Sequence, residues 1–370
     1  MTEPQSMQGR TLTRDAGEVP TQGVRSPVVA RPAPPGLVRA RTLRVVGLAL
    51  LAVAVVAVGL LSVAHGSKPI PMGTVLDAFF AFDGSSDHLI VRSLRVPRTL
   101  VGLGVGAALG LAGAIMQGVT RNPLADPGIL GINAGAALGV VVAIYAFDVG
   151  SLSVYVWFAF LGAIAASLVV YGLGSLGRDG ATPVKLALAG AAVAALLAAL
   201  ITVILLIDTA TLDQFRFWVV GSLAGRDNEI LRQVSPFLLL GAVAALATGG
   251  ALNTLTLGED VARSLGQRVA LARAASGAAV VVLVGAAVAA AGPITFVGLI
   301  IPHMARAITG PDYRWMLPYS GLLAPILLLG SDVVGRVVAR PGEVQVGVVT
   351  ALVGAPFFVA LVRRRKLAEL

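Results

Sequence analysis

Cysteine is absent from the 370 residues, which excludes disulfides, thiolate nucleophiles and zinc or iron-sulfur centres built on sulfur ligands. Histidine is almost absent: His65, His88 and His303 lie far apart, so no all-histidine metal centre is expected. Charged residues make up only 13% of the chain, too few to clothe a soluble domain of this length. No G-x-x-x-x-G-K-[ST] loop occurs, so the chain does not bind ATP by that device. Gly102, Gly104 and Gly106 alternate but lack the dinucleotide-fingerprint spacing and lie in an apolar run, where close helix packing explains them. No nucleophile, base and metal constellation suggests an enzyme, and no cofactor is expected.

What is abundant is apolar. Hydrophobic residues reach 56% and mean hydropathy is +0.87, with 44 glycines available for tight helix contacts. The chain reads as an all-α polytopic membrane protein. Its formal charge of +9 is therefore weighed loop by loop as a signal of membrane orientation, and nucleic acid is not an expected partner.

The organising stretch is 92–136. Arg92, Arg95, Pro97 and Arg98 precede an uncharged run to Thr120, followed by the turn Arg121-Asn-Pro-Leu-Ala-Asp-Pro127 and by Gly131-Ile-Asn-Ala-Gly135. About 20 apolar residues suffice for a membrane-crossing helix. On that scale the expected spans are 45–64, 97–120, 129–147, 149–176, 186–207, 234–252, 274–290, 294–302, 316–334 and 344–362. Merging the pieces around Gly292-Pro293 would remove one. Residues 1–42 are expected to be a disordered cytoplasmic tail and 43–370 the membrane domain. A short amphipathic helix is expected over 72–82, and a partial helix over 217–224. Leu257, Val261 and Leu265 recur every fourth residue before Gly266, giving a short cytoplasmic amphipathic helix within about 254–266.

With both termini cytoplasmic, Arg178, Lys185, Arg263, Arg268, Arg273, Arg306, Arg314 and the C-terminal basic cluster obey the positive-inside tendency. Arg92, Arg95, Arg98 and Arg336 fall on the other side. Guanidinium groups there suit bidentate pairing with carboxylates; a single arginine is better explained as an interfacial anchor, and the docking reading comes ahead for Arg95 and Arg98 together, on either side of a proline. Asp332 is the one intramembrane acid to suspect of function, and Arg336, four residues on, is its obvious counter-charge. His303, after Pro302, reads as a hydrogen-bonding loop residue.

Several motifs together carry a resemblance: Arg95-x-Pro-Arg98, the 121–127 turn, Leu257-Gly-Glu-x-x-Ala-x-x-Leu-Gly266, Gly292-Pro-Ile-x-Phe-Val-Gly-Leu-x-x-Pro-His-x-x-Arg306 and Gly354-Ala-Pro356. In this order they resemble the FecCD/BtuC-like permease subunits of type II ABC importers for iron-siderophores, haem and vitamin B12, from about residue 43 to the C-terminus. Gly131 to Gly135, Phe215-Arg-Phe-Trp-x-x-Gly-Ser-Leu223, Pro341-Gly-Glu343 and Leu361-Val-Arg-Arg-Arg365 are similar to the ferric-enterobactin branch. Thr295 stands where many members have glycine, and Gln345 where proline is usual.

The resemblance implies the type II permease fold with about ten membrane helices and no catalytic residue. It also implies two cytoplasmic ATPase subunits, an extracytoplasmic siderophore-binding protein and a second permease, with a paralogue favoured over a second copy of this chain. Ferric siderophore would be the cargo. It assigns Arg95, Arg98 and Arg336 to docking of the binding protein. Leu257, Gly258, Glu259, Ala262, Leu265 and Gly266 become the ATPase-coupling segment, and Asn122, Leu124 and Thr182 the cytoplasmic gate. Haem or vitamin B12 cargo stays open within that reading. An ion-coupled secondary transporter is the rival from another class, and it would need more intramembrane polar groups than the sequence supplies.

Overall fold

The computed structural model describes residues 35–177 and 182–364. Expectations for Arg178, for Arg365 onward and for residues 1–34 lie outside these. The contacts divide the chain into Met1–Arg41 and Thr42–Leu370, and the helical bundle belongs to the second unit.

Among the described residues the elements are all helical. In chain order they are α1 (Pro35–Ala64), α2 (Met72–Phe80), α3 (Ser86–Leu89), a wide π turn (Ile90–Arg95) and α4 (Val96–Thr120). After a 3₁₀ turn (Pro127–Leu130) come α5 (Ile132–Phe147), α6 (Leu152–Gly174), α7 (Pro183–Ile207), α8 (Thr209–Val219) and α9 (Asn228–Ala247). The chain closes with α10 (Gly249–Leu255), α11 (Glu259–Ser264), α12 (Val269–Ala291), α13 (Val297–Thr309), α14 (Tyr313–Val338) and α15 (Val346–Arg364). Seven helices are long and apolar enough to cross a membrane, and three shorter apolar ones, Ile132–Phe147, Val297–Thr309 and Val346–Ala360, fill the remaining expected positions.

Burial ranks these helices. The most apolar window of the helix containing α4 is 78% buried and that of α12 is 67%, against 6% for α1 and 11% for α7. So α4 and α12 form the centre, while α1 and α7 show apolar side chains outward, as lipid-facing or partner-facing helices do. Small residues let neighbours approach α4. A Cβ at Gly113 would stand 1.9 Å from Gly298 O on α13. Pro302, lacking an N–H, leaves that carbonyl without its ordinary donor four residues later. Gly113 therefore approaches backbone that Pro302 has freed, and α13 continues to Thr309 rather than stopping at 302 as expected. The same economy joins α5 to α6, where Gly135 and Gly162 each face the other's carbonyl oxygen.

Other boundaries differ from expectation as well: α1 begins at Pro35, within the segment expected to be a disordered tail and ahead of the expected start at 45. The partial helix expected over 217–224 is instead α8, started by Asp208, whose side chain accepts from Thr211 N, and ended before Gly221 at φ 77°. The 254–266 helix is broken by Gly258 at φ 106° into the end of α10 and α11. His303 lies on α13, not in a loop.

Candidate functional site

Functional residues gather at the two ends of α4, and Arg98 and Arg121 are roughly 35 Å apart at 1.5 Å per helical residue.

At the first end, Pro97 occupies the opening turn of α4, where its missing N–H costs nothing, and the π turn before it widens the helix by one residue per turn. Arg95 thereby reaches the exposed carbonyls that end α1. It donates to Val63 O at 3.0 Å, Ala64 O at 2.7 Å and Lys68 O at 2.6 Å. Arg98 reaches α14 and the segment that follows it, with Nη2 2.7 Å from Asp332 Oδ1 on α14 and Nη1 2.8 Å from Glu343 Oε2 beyond its end. Arg336 meets the other oxygen of Asp332 at 2.8 Å and donates to Ser62 O at 2.9 Å and His65 O at 2.8 Å. Asp332 is fully enclosed, and the two guanidiniums flanking it supply the compensation that a buried carboxylate requires.

The structure brings Arg95, Arg98 and Arg336, the residues expected at the docking face, to one end of α4 but turns them inward. Arg95 is 4% exposed and Arg336 2%. The physical reason is that Asp332, Glu343 and the carbonyls ending α1 engage them within the chain. Arg92 is the arginine of this stretch that stays exposed, 4.4 Å over the Phe82 ring. Arg226 was not singled out by the sequence. It is buried between α8 and α9, and its nearest acceptors are Ala290 O at 2.6 Å and Ala224 O at 2.7 Å.

At the second end, α4 stops at Arg121, in the left-handed region at φ 52°. Asn122 Oδ1 accepts from Leu124 N at 2.9 Å and Asp126 Oδ1 from Gly128 N at 2.8 Å, so two side-chain turns shape the 121–128 corner. His303 Nε2 lies 2.8 Å from Pro123 O, and because a carbonyl only accepts, that nitrogen carries the proton. Asn122 and Leu124 are exposed at the tip. Thr182 caps α7, accepting from Lys185 N. The connection of α7 to the corner runs through Gly190, whose position is in backbone contact with Ile129 O.

The adjoining α11 divides its residues by face. Leu257, Val261 and Leu265 are 61%, 45% and 64% exposed, while Ala262 is wholly buried. Glu259 turns away from that apolar face. One carboxylate oxygen meets Arg263 at 3.0 Å on the same helix, and the other forms a short ion pair with Arg273 on α12. The Arg273 hydrogen bond, with the charges of Arg273, Arg263 and Arg121, holds its carboxyl below the usual carboxylate range. Of the expected coupling residues, then, Leu257 and Leu265 present a surface, Gly258 and Gly266 supply positive-φ turns, and Glu259 and Ala262 anchor the helix. Among the described residues no cluster of His, Asp or Glu could hold a metal ion.

The model of the FecCD transport family matches residues 53–364, most of the chain and every element just described except the start of α1. The chain belongs to the FecCD transport family. Its relatives include the ferric enterobactin transport system permease protein FepD of Escherichia coli, 47% identical over 325 residues that cover 88% of this chain and 96% of that one. Another is the probable siderophore transport system permease protein YfiZ of Bacillus subtilis, 45% identical over 303 residues, covering 82% and 91%. Among solved structures, an inward-facing putative metal-chelate type ABC transporter superposes with a TM-score of 0.76 at 31% identity, covering 86% of this chain and 98% of that one. This FecCD member is accordingly an ABC-transporter permease of the type II importer fold, embedded in a membrane.

Proposed function

We propose that this chain is one permease subunit of an ABC importer that moves a ferric siderophore of the catecholate, enterobactin-like class across the cytoplasmic membrane. The observation that carries the reading is the exposed apolar surface of Leu257, Val261 and Leu265, on and to either side of α11, which Glu259 pins to α12 beside the 121–128 corner. Such a face buries itself in a partner, and its anchoring lets a push on α11 reach α12 and the end of α4. Cytoplasmic ATPase subunits are the partners that would push, ATP being the energy source. An extracytoplasmic siderophore-binding protein docks at the arginine end, and a paralogous permease completes the pathway. Both termini are cytoplasmic. Asn122, Leu124 and Thr182 form the gate, with His303 steadying the corner through Pro123. The siderophore class is supported by the names of the relatives and by the enterobactin-branch motifs.

The ion-coupled alternative loses its best residue. Asp332 is clasped by Arg98 and Arg336, so its carboxylate is not open to a coupling ion. Uptake by a deletion strain complemented with this gene, offered catecholate siderophores, hydroxamate siderophores and haem loaded with radiolabelled iron, and vitamin B12 carrying radiolabelled cobalt, tests the reading. ATP-dependent uptake of the catecholate complex is expected, and uptake that follows an ion gradient without nucleotide would refute it.

A further inference from the structure

Between α12 and α13 the backbone leaves the helix from Gly292 to Phe296. This break lies inside the membrane. α13 has 13 residues, about 20 Å at 1.5 Å each, and the charges Arg306, Asp312 and Arg314 mark its far end as the interfacial one, whereas the hydrocarbon core is about 30 Å thick. The break is also open: Thr295 is exposed, and Pro293 and Phe296 are half-buried. Irregular backbone at that depth is tolerated only against protein or a water-filled cavity, because lipid satisfies none of its polar groups. Finally, the break is strained. Phe296 has φ 68°, which bulky residues avoid, and Val297 N donates to Thr295 O at 2.9 Å across it in a tight three-residue turn.

The residues before the break are held in place. Ser222 N donates to Ala291 O at 2.7 Å, and a Cβ at Gly292 would lie 2.3 Å from Trp218 O. Phe296 itself rests in a notch on α15, where a Cβ at Gly354 would stand 2.4 Å from Phe296 Cβ. Beyond it, α13 carries the 121–128 corner at two points. A Cβ at Gly298 would lie 3.3 Å from Pro127 Cδ, and His303 Nε2 donates to Pro123 O at 2.8 Å. The contact with Gly113 falls at Gly298, about 3 Å along the axis from Phe296 and about 7.5 Å from His303. A tilt about that contact moves His303 roughly 2.5 times as far as Phe296.

We propose that α13 carries cargo contact to the cytoplasmic gate, with Phe296 meeting the aromatic rings of a catecholate complex in the aqueous pathway and His303 positioning the corner. The chemistry matches. Flat rings pack against a half-buried phenyl ring, and the Thr295 hydroxyl is a donor for a catecholate oxygen. Relief of the Phe296 strain offsets part of the cost of lifting the ring from its notch on Gly354, so a cargo that displaces it tilts α13 and shifts the corner. The assignment rests on the catecholate and gate readings above. It adds an input to the gate that is separate from the push on α11.

The test uses the complete transporter in lipid nanodiscs, with its ATPases, second permease and binding protein, and a single cysteine at position 124 as the gate reporter. Maleimide labelling rates are read with and without the ferric catecholate complex, and separately with and without a non-hydrolysable ATP analogue. The cargo is expected to change the rate at least threefold. Phe296→Ala and His303→Ala lose that response and keep the response to nucleotide, while Phe296→Tyr and His303→Gln, which retain a ring and a donor, keep most of both. A cargo response that survives Phe296→Ala overturns the proposal, and so does loss of both responses in every Phe296 and His303 variant. Should Phe296→Ala fail to fold, Thr295→Cys decides. A charged thiosulfonate reagent is expected to modify position 295, at least threefold more slowly when cargo is present, and no modification in any state places the break against protein and overturns the proposal. A transporter that takes up no catecholate complex overturns the functional reading instead, whereas uptake without any effect of cargo on position 124 or 295 overturns this inference alone.

Discussion

Replacing Asp332 by asparagine keeps the side chain's volume and removes its charge, which isolates the ion-pair contribution at the arginine end. In the native protein Asp332 is 0% exposed, with Arg98 at 2.7 Å on one oxygen and Arg336 at 2.8 Å on the other. Arg98 keeps Glu343 after the change, but Arg336 is left with carbonyl and hydroxyl acceptors only. Removing one member of a buried pair costs about 3–5 kcal/mol, most of it the stranded partner charge. At 1.4 kcal/mol per factor of ten, that is roughly a hundred- to several-thousand-fold loss in the folded-to-unfolded ratio. The assay is unfolding of purified permease in detergent. Its internal control is Asp213→Asn, which breaks the exposed Arg216 pair at 3.2 Å and is expected to cost about 1 kcal/mol or less. Adding Arg336→Leu to Asp332→Asn should recover part of the loss, because the stranded charge goes with it. The account of this end is wrong if Asp332→Asn is no more damaging than Asp213→Asn.

Gly113→Ala places a methyl 1.9 Å from Gly298 O, so α4 and α13 must separate; a loss of more than about 3 kcal/mol and poor recovery of folded protein are expected on size-exclusion chromatography. Leu265→Asp leaves stability unchanged, because the residue is 64% exposed, yet is expected to lower co-purification of the ATPase subunit at least tenfold. Glu259 has its pKa depressed in the folded protein, so its contribution is present above the ordinary carboxylate value of about 4.3 and is lost as pH falls through the lower folded value. The stability difference between wild type and Glu259→Gln should therefore be constant from pH 7 to about 5 and shrink only below about 4, measured as unfolding midpoints across pH.

Much of the architecture is legible in the sequence because each membrane helix announces itself locally. The apolar runs, the Asn122 to Pro127 corner and the break at Gly292-Pro293 each depend on residues close in sequence. The exposed apolar surface at α11 was also expected from Leu257, Val261 and Leu265, although Gly258 at φ 106° breaks the repeat and only Val261 lies on the helix itself. The inward turn of the arginines is different in kind. Arg98 finds Asp332 and Glu343 across 234 and 245 residues, and no local pattern encodes that meeting. Asp332 and Arg336 were recognisable as a pair by their spacing, but the third member was not. Arg226 escaped because its acceptors are main-chain carbonyls, which have no sequence signature. Its one available signal was an arginine in a short glycine-containing corner, at Gly225 with φ 70°, between α8 and α9. The extension of α13 past Pro302 was hidden for a related reason: the carbonyl freed by the proline is covered by a glycine on another helix.

The proposed transport cycle requires the arginine end and the α11 end to lie on opposite sides of the membrane, with α11 inside. Because the chain contains no cysteine, single-cysteine variants at the exposed positions Arg92 and Leu265 can be labelled with a membrane-impermeant maleimide in intact cells and again after permeabilisation. The account expects position 92 to label in intact cells and position 265 only once the membrane is opened. Labelling of both from the same side, or of 265 alone in intact cells, contradicts it.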